Sequence, residues 1–364
     1  MVLRNRFIRS ATYDGCADKG YVTEKQIDLY TTLAEGGVGL IITGITCVHP
    51  SGQISKFQNS ISNDDFILGF KRLISAVHDR EAKIGIQLFH AGREARFPKS
   101  IDRIPIGPSF LEKDPYFKTE YRPMTENEIW DVIHAFGDGA RRAREAGFDA
   151  VQIHGAHAYL LSQFLSPYTN RRQDGWGGSL ENRLCLHREI YKDIRQKVDE
   201  DYPVFIKFGV QDGFSGGLDF SEGMLAAKYL AELGFDALEI SQGLRGPSDE
   251  DTEFRTKINT IDREAYYREW CRQIKNQVEV PVMMVGGLRT FELMEEIIQN
   301  KEADFISLSR PLIREPGIIN EWKRGDHNRA KCISCNECFD SLLKGKTLAC
   351  VQLKRQKILE ANER

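Results

Sequence analysis

The sequence predicts an α/β protein built on a (β/α)8 TIM barrel with a short cysteine-rich C-terminal extension. Several of its short apolar runs are continuous rather than alternating, which is typical of parallel strands covered on both faces. Segments with helical periodicity separate these runs, so strand and helix alternate along the chain. No Gly-x-Gly-x-x-Gly opens a helix after a strand, which disfavours a doubly wound sheet. The eight candidate strands are residues 7–11, 38–45, 84–89, 150–154, 204–208, 237–241, 282–285 and 305–308.

The helical segments carry recognisable start and stop signals. TEKQIDLYTTLAEGG, after the first strand, has a threonine at the cap position and glycines at the end. MTENEIWDVIHAFGDGARRAREAGF places Thr125 at a cap with a glutamate three residues later, the pattern of a capping box. In DGWGGSLENR, glycines predict a turn, Ser179 a helix cap, and Glu181 and Arg183 a brace for the loop. Residues 97–122 carry four prolines and predict an irregular excursion over the barrel mouth.

Composition narrows the class of protein. The chain has 364 residues, 41% hydrophobic and 28% charged, with a net charge of -3, so nothing favours nucleic acid or an anionic membrane as partner. No apolar run approaches the roughly 20 residues of a membrane span, and no signal-peptide segment follows Met1. We therefore expect a cytoplasmic protein, with cysteines that bind metal or lie buried as thiols. We divide it into a barrel at residues 1–325 and a cysteine-rich segment at 326–364 that packs on the barrel.

The fourth strand is followed by an unusual group of side chains. His154 and His157 stand three residues apart, and Tyr159 comes two residues later. Barrel enzymes work at the C-terminal ends of their strands, and these three residues leave the strand at that end. The alternative is a pair of hydrogen-bonded core histidines with a tyrosine that only packs.

The same stretch carries a resemblance to a known family. HGAHAYLLSQFLSPYTNRRQDGWGGSLENR, residues 154–183, resembles the signature of the Old Yellow Enzyme family, the NADH:flavin oxidoreductases and FMN-dependent ene-reductases. NRFIRSAT, GVGLIITG, GIQLFHAGR, VMMVGGLRT and ADFISLSRPLIREP resemble its strands one, two, three, seven and eight, in that order. The C-terminal CISCNECFDSLLKGKTLAC is similar to the iron–sulfur segment of the longer members, of the 2,4-dienoyl-CoA reductase and trimethylamine dehydrogenase type.

The resemblance implies an activity and the residues that carry it. FMN would be reduced by NADH or NADPH and would pass hydride to the C=C bond of a small activated alkene. His154 and His157 would donate N–H groups to the activating oxygen and stabilise its developing charge. Tyr159 would supply the proton, because a phenol is neutral at pH 7 and can be held in one position.

The resemblance also implies the flavin-binding residues. The Gln87 amide would match the donor–acceptor edge of the flavin pyrimidine, and the Lys207 cation would stabilise the anionic reduced flavin. The loops after strands seven and eight would hold the phosphate through backbone N–H groups and an arginine. The implied cofactor-binding residues are Ala11, Thr12, Gln87, Lys207, Gly286, Gly287, Ser309 and Arg310.

Four departures from the family pattern stand out. The family usually has a hairpin before strand one, whereas this chain begins almost at the strand, and the longer members continue into a second nucleotide-binding region, whereas 14 residues follow Cys350 here. Tyr13 stands where the family often has Cys or Thr near the flavin, and Ser309 where it usually has Gly.

Four cysteines near the C-terminus, Cys332, Cys335, Cys338 and Cys350, have the spacing C-x2-C-x2-C-x11-C. Four thiolates of this kind can ligate a [4Fe–4S] cluster. The longer family members typically have three residues between the second and third cysteines, so zinc and an empty site are the alternatives. The other four, Cys16, Cys47, Cys185 and Cys271, are expected to be buried thiols.

Two other functions compete with the ene-reductase. The chain could be an electron-transfer subunit in which flavin and cluster relay electrons to or from a redox protein partner. Alternatively, Lys207 could be the Schiff-base nucleophile of an aldolase. The sequence leaves the oligomeric state open.

Overall fold

Eight parallel strands close into a barrel, as predicted. The computed structural model describes residues 1–96, 103–112, 114–115 and 117–362. Each strand pairs in parallel with the next, and the first strand pairs with both the second and the eighth, which closes the sheet. The strands are β1 (Phe7–Arg9), β2 (Leu40–Cys47), β3 (Lys83–Phe89), β4 (Ala150–Gly155), β5 (Val204–Gly209), β6 (Ala237–Ser241), β7 (Val282–Met284) and β8 (Phe305–Leu308).

Helices alternate with the strands of the barrel, and two more, α12 and α13, lie in the C-terminal segment. They are α1 (Glu24–Glu35), α2 (Ile67–His78), α3 (Glu126–Ala146), α4 (Leu160–Leu165), α5 (Leu180–Arg183), α6 (Cys185–Lys197), α7 (Phe220–Leu233), α8 (Arg268–Lys275), α9 (Phe291–Gln299), α10 (Arg310–Arg314), α11 (Ile318–Lys323), α12 (Glu337–Leu343) and α13 (Val351–Asn362). Single 3-10 turns lie at Pro50–Gly52, Asp64–Phe66, Gly92–Glu94, Asp249–Asp251 and Ile261–Arg263. No helix in the described ranges is long and apolar enough to cross a membrane.

The predicted helix caps are present. The Thr125 side chain accepts the backbone N–H of Glu128, and the Glu128 carboxylate accepts the backbone N–H of Thr125 at 2.9 Å, which completes a capping box at the start of α3. Gly147 ends that helix with φ of 100°, a conformation that glycine adopts without strain. Ser179 caps α5, and Arg183 braces the loop through Leu165 O at 2.6 Å and Glu222 at 2.6 Å.

Side chains inside the barrel change character along its axis. Alternate residues of a strand point to the same side, so each strand sends a regular series into the interior. At the lower end the interior is apolar, with Ile8, Phe205 and Met283 buried in one cluster. Two residues further along the strands the buried side chains are polar, as with Lys207 on β5. The barrel interior is therefore filled by apolar side chains at the N-terminal ends of the strands and carries polar side chains toward their C-terminal ends.

The C-terminal segment packs on the mouth of the barrel. The backbone N–H of Leu348 donates to Asp14 O at 2.9 Å, and the Phe339 ring stacks on Phe254 with centroids 5.3 Å apart. The Arg289 guanidinium also donates to the Ser334 hydroxyl. These contacts agree with a cysteine-rich segment that packs on the barrel. The predicted boundary between the two at residue 325 stays a prediction.

The proline-rich excursion is partly described. Ile106–Gly107 pairs with Arg122–Pro123, and Arg93 forms an ion pair with Asp114 at 2.5 Å. Residues 97–102, 113 and 116 of the excursion lie outside the described residues.

Two expectations need correction. The first strand was predicted to end at Ala11 but ends at Arg9, so Ala11 lies in the loop that follows it. Cys185 is only half-buried, because it opens α6 beside the exposed part of Arg188, whereas Cys16, Cys47 and Cys271 are buried.

Candidate active site

The two histidines and the tyrosine converge at the C-terminal end of β4. The ring centroid of His154 lies 4.9 Å from that of His157 and 5.0 Å from that of Tyr159. The chain turns sharply here, because His157 and Ala158 have φ of 59° and 64°. Their backbone N–H groups donate to Gln242 O and Gly243 O, both at 3.0 Å, and so tie this turn to the loop after β6. Strained backbone held by outside bonds is typical of functional sites.

Both imidazoles are neutral donors. Burial lowers the pKa of His154 well below its ordinary value, and the neighbouring His157, Lys207 and Arg245 lower it further. Burial and the same two cations lower the pKa of His157. His154 Nδ1 accepts the backbone N–H of Ala156 at 3.3 Å, so its proton is placed on Nε2. His154 therefore keeps its Nε2–H group with which to bind an oxygen. His157 Nε2 lies 2.8 Å from the Ser241 hydroxyl, and when it accepts that hydroxyl's proton the Nδ1–H group is left to bind an oxygen.

Tyr159 is a protonated phenol. Its ring packs edge-on against Phe89, with centroids 4.5 Å apart. Burial raises the pKa of Tyr159 above its ordinary value, although Arg245 opposes this rise. The phenol therefore keeps its proton in neutral solution, as a proton donor must.

A chain of buried polar groups crosses the barrel beneath these residues. Lys207 Nζ lies 2.7 Å from Ser10 Oγ and 3.1 Å from Glu239 Oε1. Gln152 donates to the other oxygen of Glu239 at 2.9 Å, and Gln87 donates to Gln152 at 2.8 Å. Gln87 and Lys207 were predicted site residues, whereas Ser10, Glu239 and Gln152, which join them, were not. Glu239 and Gln152 could have been predicted, because a polar residue within an otherwise apolar strand indicates a buried polar contact.

The Glu239 carboxylate is charged despite complete burial. Burial raises its pKa, but the Lys207 ammonium and the hydrogen bonds from Ser10 and Gln152 outweigh burial and lower it. Lys207 is thus half of a buried ion pair. A Schiff-base nucleophile must be a neutral amine, so this pairing disfavours the aldolase alternative.

The loops after β7 and β8 carry the residues that were predicted to bind the phosphate. Gly286 and Gly287 have φ of 128° and 76°, and a Cβ on either would lie about 3 Å from the Tyr266 ring. Glycine is therefore required for both backbone conformation and space. Arg310 donates to Arg255 O at 2.8 Å and to Asn336 Oδ1 at 2.6 Å, which fixes it at the rim. The Ser309 hydroxyl lies 2.8 Å from that of Thr12.

One cavity of about 660 Å³ connects the histidines and the tyrosine with Lys207 and with the glycine loop. Its size is that of small-molecule and cofactor sites. Ser307 Oγ and Arg289 Nε are buried without a hydrogen-bond partner among the described residues, and both residues line this cavity. Unpaired buried donors beside a glycine loop and an arginine suit an anionic cofactor such as FMN. The predicted site residues that line it are Ala11, Thr12, Gln87, His154, His157, Tyr159, Lys207, Gly286, Gly287, Ser309 and Arg310.

The four C-terminal cysteines surround a second, smaller cavity. Cys332, Cys335, Cys338 and Cys350 all line it, and Cys338 lines the large cavity as well. Burial, with Cys332 beside it, raises the pKa of Cys338 to about 11. In the described ranges no three His, Cys, Asp or Glu side chains lie close enough together to hold a metal ion as they stand. The four predicted ligands therefore line one cavity without forming a ligand set, and the cluster stays a prediction.

Most of the chain matches a known protein family. Residues 1–328 match the NADH:flavin oxidoreductase / NADH oxidase family. The chain belongs to this family. The resemblance seen in the strand-four signature is thereby confirmed. The (β/α)8 barrel that the resemblance implies is also the fold of the structure.

Some relatives are about twice as long as this chain, and others have nearly the same length. The chain is 36% identical to an NADH oxidase of Thermoanaerobacter brockii over 343 residues, 92% of this chain and 51% of that protein. It is 36% identical to an NADPH dehydrogenase of Halalkalibacterium halodurans over 318 residues, 87% of this chain and 89% of that one. A solved 2-naphthoyl-CoA reductase in complex with 2-naphthoyl-CoA superposes with a TM-score of 0.89 at 25% identity, covering 96% of this chain and 55% of that chain. The chain therefore spans about half the length of its longer relatives.

Proposed function

We propose that this protein is an FMN-dependent, NAD(P)H-linked oxidoreductase that reduces the C=C bond of activated alkenes such as enones. The observation that carries this proposal is the convergence of His154, His157 and Tyr159 in the cavity that Gly286 and Gly287 line. FMN, when bound, supplies the hydride that such a reduction requires. Gln87, Lys207 and Arg310 are the residues that would hold it.

The chain's own residues supply the polar part of the reaction. Neutral His154 and His157 donate N–H bonds to the carbonyl or nitro oxygen of the substrate and stabilise its growing negative charge. Tyr159 delivers its phenolic proton to the substrate carbon opposite the hydride. Phe89, fully buried behind the tyrosine, holds the ring in place.

Tyr159→Phe is expected to slow the alkene half-reaction by about 10²-fold or more, since a positioned general acid contributes that much. Reduction of the flavin by NAD(P)H should keep its rate, because no proton from Tyr159 enters that step. Stopped-flow measurement of each half-reaction under anaerobic conditions checks the prediction.

Tyr121→Phe is the matched control, because Tyr121 is a buried tyrosine of the excursion outside the cavity. It should leave both half-reactions at the rates of the unmodified protein. Equal slowing of both half-reactions in Tyr159→Phe would show that the tyrosine is not the proton donor.

A second candidate is electron transfer through a [4Fe–4S] cluster to or from a redox protein partner. The observation in its favour is that Cys338 lines both the cysteine cavity and the large cavity. A cluster held there would lie next to the flavin site. Hydrogen bonds to sulfur, such as that from Leu353 N–H to Cys350 Sγ at 3.4 Å, are typical of such sites and tune their potentials.

Anaerobically purified protein should contain about four iron and four sulfide per chain, as a [4Fe–4S] centre requires. Cys335→Ala should remove both and should abolish the broad absorbance that underlies the flavin bands. Cys185→Ala should change neither, because Cys185 is a half-buried thiol on α6. One zinc per chain, or no iron after reconstitution without oxygen, would refute the cluster and leave the ene-reductase proposal intact.

A further inference from the structure

Arg245 reaches into the active-site cavity beside the proton donor. It lies in the loop after β6, whose backbone carbonyl groups accept hydrogen bonds from the backbone N–H groups of His157 and Ala158. Its Cζ lies 5.5 Å from the ring centroid of Tyr159 and 5.7 Å from that of Phe254. No sequence motif marked this residue.

A carboxylate holds the Arg245 guanidinium in place. Glu253 Oε1 accepts from Nη2 at 2.7 Å and Glu253 Oε2 accepts from Nε at 3.1 Å, a paired geometry that fixes the plane of the guanidinium. The Glu253 side chain is nearly buried, so water screens the pair weakly. This ion pair does not use Nη1, the third nitrogen of the guanidinium.

We propose that Arg245 is a positioning residue for proton donation, holding the phenol of Tyr159 and stabilising the phenolate that remains after the proton has left. The inference rests on the proposed function. In this step the O–H bond of Tyr159 breaks and its proton forms the new C–H bond of the substrate. The electron pair stays on the phenolate oxygen, which then takes a proton from water.

The charges around Tyr159 explain why a cation is needed there. Burial alone penalises the phenolate, and the carboxylates of Glu253 and Glu94 penalise it further. His154 lies against the ring but is neutral, so it offers no compensating charge. Arg245 is the group that most opposes burial. Without it, the phenol would be too weak an acid to give up its proton quickly.

The test compares Arg245→Met with Arg245→Lys in the flavin-loaded protein. NMR of protein labelled at tyrosine Cζ reports ionisation directly, and the Tyr159 signal is the one lost in Tyr159→Phe. In Arg245→Met this signal should titrate at least about one pH unit higher, a tenfold change in proton affinity. The alkene half-reaction should slow at least about tenfold and its pH profile should shift upward by the same amount. Flavin reduction by NAD(P)H should be unchanged.

Arg245→Lys should restore much of the rate of the alkene half-reaction and bring the Tyr159 titration back toward that of the unmodified protein, because lysine keeps the positive charge. The recovery should be incomplete, because lysine lacks the paired donors of the guanidinium. The matched control is Arg263→Met, which removes an arginine from an exposed ion pair with Glu250 and should change nothing.

An unchanged Tyr159 titration in Arg245→Met overturns the inference. So does equal slowing of both half-reactions, which would assign Arg245 a purely structural role. A change confined to the KM of acidic alkenes would make it a substrate-binding group instead. If the unmodified protein reduces no activated alkene, the proposed function fails, whereas the titration still decides whether Arg245 stabilises the phenolate.

Discussion

Replacing either His154 or His157 with alanine is expected to slow alkene reduction by about 10²- to 10³-fold, since removing one preorganised oxyanion donor costs about 3 kcal/mol of transition-state stabilisation. His154 is buried and His157 is half-buried, and the two neutral rings lie side by side in the cavity. Each therefore offers an N–H group where water competes weakly. The measurement is the anaerobic reaction of the reduced protein with a simple enone.

Two further readouts separate this role from a structural one. Phenols that imitate the enolate should bind more weakly to each histidine variant, because they use the same donors. Flavin reduction by NAD(P)H should suffer less than alkene reduction. His134→Ala is the control, because His134 lies on α3 with more than half of its side chain exposed. If His154→Ala slowed both half-reactions alike, the oxygen-binding role would be wrong.

The fold was predictable because each strand carries its own signal. Strands buried on both faces need continuous apolar side chains, and residues such as those of β2 show this without any knowledge of their neighbours. The helix caps were predictable for the same reason, since Thr125 and Glu128 interact within one turn. Local rules therefore recovered the barrel and its helices.

The electrostatics of the site were harder to predict because they depend on pairing between strands. Lys207 finds Glu239 only because β5 and β6 lie next to each other with these two residues in register. Arg245 approaches Tyr159 because two loops from different strands meet above the barrel. The two residues of each pair lie far apart in the sequence, so no short sequence motif contains both. Histidines and cysteines that stand close together in the chain were, by contrast, recognisable.

The buried ion pair gives the largest expected effect on stability. Lys207 and Glu239 are both buried, with side chains 3% and 0% exposed, and their charges lie 3.1 Å apart. Lys207→Met would leave the Glu239 carboxylate in the barrel without its cation. Removing one partner of a buried pair costs about 3–5 kcal/mol, so the free energy of unfolding should fall by about that amount at pH 7. Denaturant unfolding of the flavin-free protein measures this loss without the contribution of FMN binding.

The pH dependence identifies the cause of that loss. In the unmodified protein the pKa of Glu239 is lowered, so its stabilising effect is present above the unfolded pKa of about 4.3 and is lost as pH falls through the folded value. In Lys207→Met burial should raise that pKa instead, so the folded variant takes up a proton as pH falls. The stability difference between the two proteins should therefore be largest near neutral pH and shrink toward pH 4. Adding Glu239→Gln to the variant removes the unpaired charge and should recover part of the stability at pH 7. A pH-independent difference, or no recovery in the double variant, would mean that lost packing of the lysine chain causes the effect.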